Sequence, residues 1–137
     1  MRSRSARGFT LVEAVVIMVL AGMIMSIALP RFRERRNSYL LDTAAFQLAG
    51  DLRRAQIEAI KRNTPITLTR VNDSTYNINF IGDRRLDNAR FVAASSAASV
   101  QMAAFGPPTS GARTFVVALG GRQKTVNVSA AGLVSVQ

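Results

Sequence analysis

The chain has 137 residues and contains neither cysteine nor histidine. This excludes disulfides, thiolate metal sites and cysteine nucleophiles, and it removes the commonest general base and metal ligand. The formal net charge is +10, from 18 basic and 8 acidic residues. Such a balance favours an anionic partner, such as nucleic acid, lipid headgroups or an acidic protein surface, although solubility alone also accounts for it.

An apolar run occupies residues 9–29 and contains one charged residue, Glu13. As a helix it would be about 31 Å long, close to the thickness of a bilayer's hydrocarbon core. A cleavable secretory signal would need a shorter run before a small-residue site such as Ser26-Ile27-Ala28. A plain signal anchor explains the length but not the acid, which is costly in lipid and usually has a partner. Arg7 lies on the other side of Gly8, so it is not a partner within the run.

The stretch Gly8-Phe9-Thr10-Leu11-Val12-Glu13 resembles the class III signal of type IV prepilins and type II secretion pseudopilins. In that family a prepilin peptidase cuts after the glycine, and the new N-terminal residue is N-methylated. The resemblance implies cleavage between Gly8 and Phe9 and methylation of Phe9. It also assigns roles in assembly to the residues that match the family's glutamate, helix-loosening glycine and kinking proline: Glu13, Gly22 and Pro30.

The resemblance also supplies a partner for Glu13. Cleavage would create a free amine on Phe9, and Glu13 of one subunit would face that amine on a neighbouring subunit. Each charge alone is costly in a low-dielectric bundle, whereas the pair largely cancels. Since one registration between helices satisfies both groups, the acid would fix the register. The alternative is an acid that is merely tolerated near the membrane interface.

The resemblance implies a single-pass inner-membrane protein that is later assembled into a pilus or pseudopilus. The predicted segments are a leader of residues 1–8, a membrane and filament-core helix of residues 9–30, an amphipathic helix of residues 31–64 and a head of residues 65–137. The leader would be cytoplasmic and the head periplasmic. The positive-inside rule does not decide the orientation, because arginines flank the apolar run on both sides.

A second helical pattern follows Pro30. Apolar residues recur there at steps of three and four, and they predict an amphipathic helix that packs on the head. These residues are Leu41, Ala44, Ala45, Leu48, Leu52, Ala55 and Ala59. Pro65 ends the pattern, because the residue before a proline avoids the helical region. We therefore predict one long helix over residues 9–62, bent at Pro30.

Beyond Pro65 the apolar period changes to two, which is typical of β-strands. The predicted strands are residues 66–69, 76–80, 91–94, 100–105, 114–119, 125–129 and 133–136. Turns are predicted at residues 72–74, 120–121 and 130–132, and loops at residues 82–90 and 106–111. The fold class is therefore α+β, with a long N-terminal helix packed on an antiparallel β-sheet head, as in pilins.

Residues 51–70 and 120–137, read with the β-rich head, resemble minor pilins and pseudopilins of the GspH/FimT type. The resemblance implies a structural subunit whose partners are other pilins, the prepilin peptidase and the inner membrane. We expect no enzyme activity, cofactor or metal, because the acids form no converging catalytic set. Asp83 and Asp87 share a loop, but the neighbouring arginines favour ion pairing there over cation binding.

The alternative function is a pilus-associated DNA receptor that binds DNA non-specifically through a basic head surface. Arg122 and Lys124 alternate beside a glycine turn, so their side chains should leave the same face of a strand. Some family members implicated in DNA uptake carry Gly-Arg-x-Arg near the C-terminus, which Gly121-Arg122-Gln123-Lys124 approximates. The next candidates are Arg84, Arg85 and Arg90.

Overall fold

The computed structural model describes residues 9–137, and the predicted leader of residues 1–8 lies outside the described part. The chain divides into two units, one that ends at Arg35 and one that covers Arg36–Gln137. Each unit is described by itself. In the first, the described residues consist of the start of the long helix and the two residues before it.

The helix α1 spans Leu11–Arg62 and contains Pro30. Its start and end agree with the predicted helix to within two residues. At the C-terminal end, Asn63 adopts a positive φ of 49°, and the N–H of Thr64 donates to the carbonyl of Ala59 at 3.2 Å. A left-handed residue after the last turn is a common helix stop, and Pro65 prevents the helix from resuming.

The second unit contains eight strands in two antiparallel sheets. The first sheet has the order β3-β2-β1-β5 and the second has the order β4-β6-β7-β8. The predicted α+β class is therefore confirmed, with two sheets in place of one. The strands are β1 Ile66–Arg70, β2 Thr75–Ile78, β3 Gly82–Arg85, β4 Arg90–Phe91, β5 Ser99–Met102, β6 Arg113–Leu119, β7 Arg122–Val128 and β8 Val134–Val136.

The core lies between α1 and the two sheets. All seven helix residues predicted to face the head are buried, and Ala49 joins them. Five of these eight residues are alanines, so their short side chains let the helix backbone lie close to the sheets. An aromatic contact joins the two sheets, because Tyr76 of β2 meets Phe91 of β4 edge to face at 6.0 Å between ring centroids. Within the second sheet, Phe91 meets Phe115 at 6.3 Å.

The prediction of a loop over residues 82–90 is wrong at its start, where β3 forms. The chain reverses at residues 79–81, with positive φ at Phe80 and Gly82, and this turn brings β3 alongside β2. The strand is charged because it lies at the edge of its sheet, and charged edge strands resist unwanted pairing. β7 likewise begins earlier than predicted, directly after the turn at Gly120 and Gly121, whose φ angles are both positive.

Candidate assembly site and basic surfaces

Glu13 lies in the first turn of α1, where it forms a reciprocal cap with Thr10. The backbone N–H and the hydroxyl of Thr10 donate to Glu13 Oε2 at 3.0 and 2.9 Å. In return, the backbone N–H of Glu13 donates to Thr10 Oγ1 at 3.3 Å. This is a capping box, in which two side chains satisfy N–H groups that a helix start otherwise leaves unpaired.

The capping box gives Glu13 a partner that the sequence interpretation missed. Arg7 is the cation nearest to Glu13 before the apolar run, but the partners of Glu13 are a hydroxyl and a backbone N–H, both of Thr10. The signal was present in the sequence, because threonine followed three residues later by glutamate before an apolar run is the pattern of a capping box. The carboxylate is therefore held against Thr10 at the start of its own helix.

The other predicted assembly residues lie farther along α1. A Cβ built on Gly22 would meet no atom within 4 Å, so no steric contact in the described chain requires a glycine there. Pro30 lies inside the helix. Phe9 precedes the helix with 74% of its surface exposed, whereas Gly8, on the other side of the predicted cleavage site, lies outside the described residues. α1 is long and apolar enough to cross a membrane.

Arg122 and Lys124 both lie on β7, but they are not equivalent. Lys124 Nζ lies 3.0 Å from Asp42 Oδ1 of α1, and its charge is thereby countered. Arg122 is exposed. The two residues border a shallow cavity of about 390 Å³ beside α1. The predicted pair of free cations is therefore reduced to one exposed arginine beside an ion pair.

The remaining basic candidates, Arg84, Arg85 and Arg90, lie away from the surface formed by Arg122 and Lys124. Arg84 on β3 approaches Asp51 of α1, with Nε 3.9 Å from Oδ2, whereas Lys124 meets Asp42. The carbonyl of Arg85 accepts a hydrogen bond from Gln47 Nε2 at 2.9 Å. Arg90 lies on β4, two strands from β7 in the same sheet, and it borders a cavity of about 260 Å³ together with Arg85. The five residues proposed for DNA binding thus fall in three places: Arg122 lies with Lys124, Arg85 lies with Arg90, and Arg84 lies beside Asp51.

Tyr76 and Asp51 form a polar link within the core that the sequence did not indicate. The hydroxyl of Tyr76 donates to Asp51 Oδ2 at 2.7 Å, and Tyr76 is fully buried. Burial raises the pKa of the Tyr76 phenol well above its usual range, and the adjacent Asp51 carboxylate raises it further. The phenol therefore stays neutral and holds α1 to β2.

Two models of known protein families match this chain. Residues 3–29 match the prokaryotic N-terminal methylation motif. Residues 44–132 match the family described as type II transport protein GspH, which is well over half of the chain. The chain belongs to the GspH family. The sequence interpretation of a minor pilin or pseudopilin of this type is therefore confirmed.

Individual relatives agree with this membership. The pilin-like protein PilA1 of Thermus thermophilus is 39% identical over 62 residues, which are 45% of this GspH-family chain and 38% of PilA1. The chain thus spans well under half the length of that relative. Two crystal structures of the type IV minor pilin FimU from Pseudomonas aeruginosa superpose with TM-scores of 0.60 and 0.62 at 17% and 18% identity.

The FimU structures are compared over 71% and 77% of this chain and 92% of theirs. At that level of identity the likeness shows the fold, and the fold is that of a minor pilin. Pilins and pseudopilins are structural subunits, so the family assignment agrees with a structural role. These matches give no support to the DNA-binding alternative.

Proposed function

We propose that this protein is an inner-membrane minor pilin or pseudopilin that is processed by prepilin peptidase and then assembles with other pilins in a type IV pilus or type II secretion pseudopilus. The observation that carries the proposal is the capped carboxylate of Glu13. It lies in the first turn of an apolar helix, within a segment that matches the N-terminal methylation motif.

Processing would occur between Gly8 and Phe9 and would leave residues 9–137 as the mature chain. The new α-amine of Phe9 would be methylated, and it would remain able to carry a positive charge. Residues 9–30 would span the membrane, while residues 31–64 would continue the helix into a periplasmic head of residues 65–137. Gly22 would loosen the helix and Pro30 would kink it, as the family motif implies.

The capping box suggests how Glu13 would fix the register of assembly. Both bonds from Thr10 go to Oε2, whereas a carboxylate can accept about four hydrogen bonds. Capacity therefore remains for the Phe9 ammonium of a neighbouring subunit. Because the cap holds the carboxylate in one position, the entropy lost on pairing would be smaller than for a freely rotating side chain.

Processing can be tested directly. In cells with an active prepilin peptidase, the mass of the membrane-purified protein should correspond to loss of residues 1–8 and gain of one methyl group on Phe9. A chain that still begins at Met1, or one that begins near Leu29, would contradict the proposal.

Assembly can be tested through Glu13→Ala, with Glu13→Gln as a matched variant. Glu13→Gln retains an oxygen that can accept from Thr10 but removes the charge. We expect both variants to insert in the membrane and neither to co-purify with partner pilins at the level of the parent. Normal co-assembly of Glu13→Gln would show that the charge has no role in assembly.

A further inference from the structure

A groove separates the last turns of α1 from the hairpin of β2 and β3. The two elements are in contact at one end, where Gln47 bonds the carbonyl of Arg85 at 2.9 Å and Asp51 lies 3.9 Å from Arg84. Beyond this contact they enclose a cavity of about 310 Å³. The residues that line it include Arg54, Glu58, Arg62, Phe80, Asp83 and Arg84.

The two acids of the groove already have partners. Glu58 Oε2 accepts from Arg62 Nε at 3.0 Å, and this bond lowers the pKa of the Glu58 carboxyl. Asp83 Oδ1 accepts from Asn77 Nδ2 at 2.6 Å. Both acids are therefore already hydrogen-bonded, and within the described chain neither Arg54 nor Arg84 forms an ion pair with either of them.

Arg84 is the clearest of these arginines. Its Nε is buried and has no hydrogen-bond partner anywhere in residues 9–137. The nearest acid, Asp51, lies beyond hydrogen-bonding distance, and its Oδ2 already accepts the hydroxyl of Tyr76. A buried donor without an acceptor is unfavourable. Because 41% of the Arg84 side chain is exposed, a carboxylate that enters the groove can reach its guanidinium group.

Phe80 stands at the mouth of the groove in an unusual conformation. Its φ is +67°, in the left-handed region that bulky residues seldom adopt, and 65% of its surface is exposed. The Arg62 guanidinium lies 5.4 Å from the ring centroid, which orients the ring. Strain and exposure combined at one aromatic residue are typical of a contact surface rather than of a core.

We propose that this groove binds an extended acidic segment of a neighbouring pilin subunit. A carboxylate of that segment binds Arg54 and Arg84, and an apolar side chain packs on Phe80. The identity of the partner as a pilin rests on the proposed function. The groove itself rests on the charges and contacts of the head.

An extended segment suits the groove because one of its walls is an edge strand. Asp83 pairs with Asn77 between two pairs of residues that exchange backbone hydrogen bonds with β2, so the backbone groups of Asp83 face outward. A partner strand can add to such an edge through its main chain, while pockets select its side chains. Gln47 already occupies the carbonyl of Arg85, which limits pairing to the open end.

The two acidic residues that line the groove, Glu58 and Asp83, favour a protein segment over nucleic acid as the bound partner. Glu58 and Asp83 would repel a continuous chain of phosphates along the groove, whereas a peptide can place one carboxylate between Arg54 and Arg84 and keep neutral residues elsewhere. The head as a whole is basic, since residues 36–137 contain 12 basic and 6 acidic residues, a difference of +6. Long-range attraction would therefore bring an acidic partner to this surface.

The test uses the full chain in detergent micelles and two fluorescent peptides. The acidic probe is acetyl-Leu-Glu-Leu-Asp-Leu-amide, and the matched control is acetyl-Leu-Gln-Leu-Asn-Leu-amide. At low salt we expect the acidic probe to bind at least about 10-fold more tightly, because its charge-assisted bonds are stronger than neutral ones. The preference should weaken as salt is added.

Paired variants locate the site. Arg54→Gln with Arg84→Gln should weaken binding of the acidic probe by about 10-fold or more. Arg36→Gln with Arg113→Gln removes the same charge from α1, 18 residues before Arg54, and from β6 of the other sheet. In about 0.1 M salt this double variant should leave affinity within about twofold, because Arg36 lies about 27 Å from Arg54 along the helix, well beyond the Debye length. Phe80→Asn, which tolerates positive φ, should weaken binding of both peptides, since both carry apolar side chains.

Equal affinity for the two peptides, or equal losses in the two double variants, would overturn the proposal. A single-stranded oligonucleotide that bound more tightly than the acidic peptide and was lost in Arg54→Gln with Arg84→Gln would assign the groove to nucleic acid instead. Glu13→Ala distinguishes the proposed role in pilin assembly from the proposed acidic-segment binding in the groove. It should abolish assembly and leave peptide binding unchanged.

Discussion

At the scale of single residues, the described chain satisfies many of its polar groups, though not the Arg84 Nε, through short local pairs and a few links between elements. Thr10 and Glu13 are a local pair at the start of α1. Tyr76 and Asp51 are a link between elements, joining β2 to the helix. Both pairs place a carboxylate against hydroxyl or N–H donors.

Removing the Thr10 hydroxyl tests whether it positions Glu13. Thr10→Val keeps the branched shape of the side chain and removes both hydrogen bonds of the hydroxyl. We expect the helix start to lose about 0.5–2 kcal/mol, co-purification with partner pilins to fall, and cleavage after Gly8 to continue. Thr10→Ser, which keeps a hydroxyl, should behave as the parent. Equal co-purification of the valine and serine variants would rule out a positioning role.

We predict that the fold loses stability at alkaline pH because of the buried phenol of Tyr76. Its folded-state pKa is raised above the ordinary value of 10.0, so the fold favours the neutral phenol. This contribution is complete below that value and is lost progressively as the pH rises above it, because the phenol ionises in the unfolded chain first. Urea unfolding between neutral pH and pH values above 10.0 should show the decline.

Because the chain has few tyrosines, a single substitution can isolate the signal of Tyr76. The sequence contains two, so Tyr39→Phe leaves Tyr76 as the only phenol. In that variant the phenolate absorbance should appear together with unfolding and not before it. Tyr76→Phe should lose about 1.5–3 kcal/mol at neutral pH, as expected for a hydrogen bond to a charged group. Ionisation of Tyr76 in a folded chain would contradict the structure.

At the scale of elements, the parts of the fold that follow from periodicity could be predicted from the sequence. The buried face of α1 repeats at three and four residues, so all of its predicted core positions were correct. β3 could not be predicted in this way, because Gly82–Arg85 has no apolar alternation. Its strand geometry depends on the turn before it and on pairing with β2.

Some features of the candidate sites could likewise be predicted from the sequence, and others could not. Glu13 could be identified from the motif, and its capping partner could have been identified from local spacing. The pairing of Lys124 with Asp42 could not, because it joins a strand and a helix that are far apart in sequence. The groove beside β3 depended on that unpredicted strand, so the sequence could not indicate it either.

The turn before β8 offers a test of how closely the elements pack. A Cβ on Gly132 would lie 2.8 Å from Gln56 Nε2 and 3.3 Å from the Cα of Pro107. Gly111 has a similar positive φ but nothing within 4 Å of its Cβ. Gly132→Ala should therefore destabilise the fold by about 1–3 kcal/mol more than Gly111→Ala, as expected for overpacking. Urea unfolding of the two variants measures the difference, and equal losses would contradict the close approach.

At the scale of the molecule, the described chain places its whole core in one of its two units. Within residues 9–137, every buried apolar side chain lies between Leu41 and Val134. The second unit, Arg36–Gln137, contains all of them. The first unit contributes an apolar helix that has no buried side chain among its described residues.

A chain reduced to residues 36–137 should therefore fold. We expect a cooperative urea transition with a slope of about 1–3 kcal/mol per molar, as for other small domains, and unchanged binding of the acidic peptide. Leu48→Ala in the same chain should lose about 2–5 kcal/mol, because Leu48 is fully buried. A gradual transition would show that the head needs residues before Arg36.

The polar links between α1 and the sheets also bear on mechanical resistance. If a subunit is withdrawn from a membrane, the force acts along the helix and must reach the head through its packed face. Five side-chain hydrogen bonds join α1 to the strands and turns of the head, and they come from four helix residues spread over about two and a half turns. A pull along α1 would therefore load them in parallel, as in a shear joint, and not one after another. The helix residues that make these bonds are Gln47, Asp51, Arg53 and Gln56.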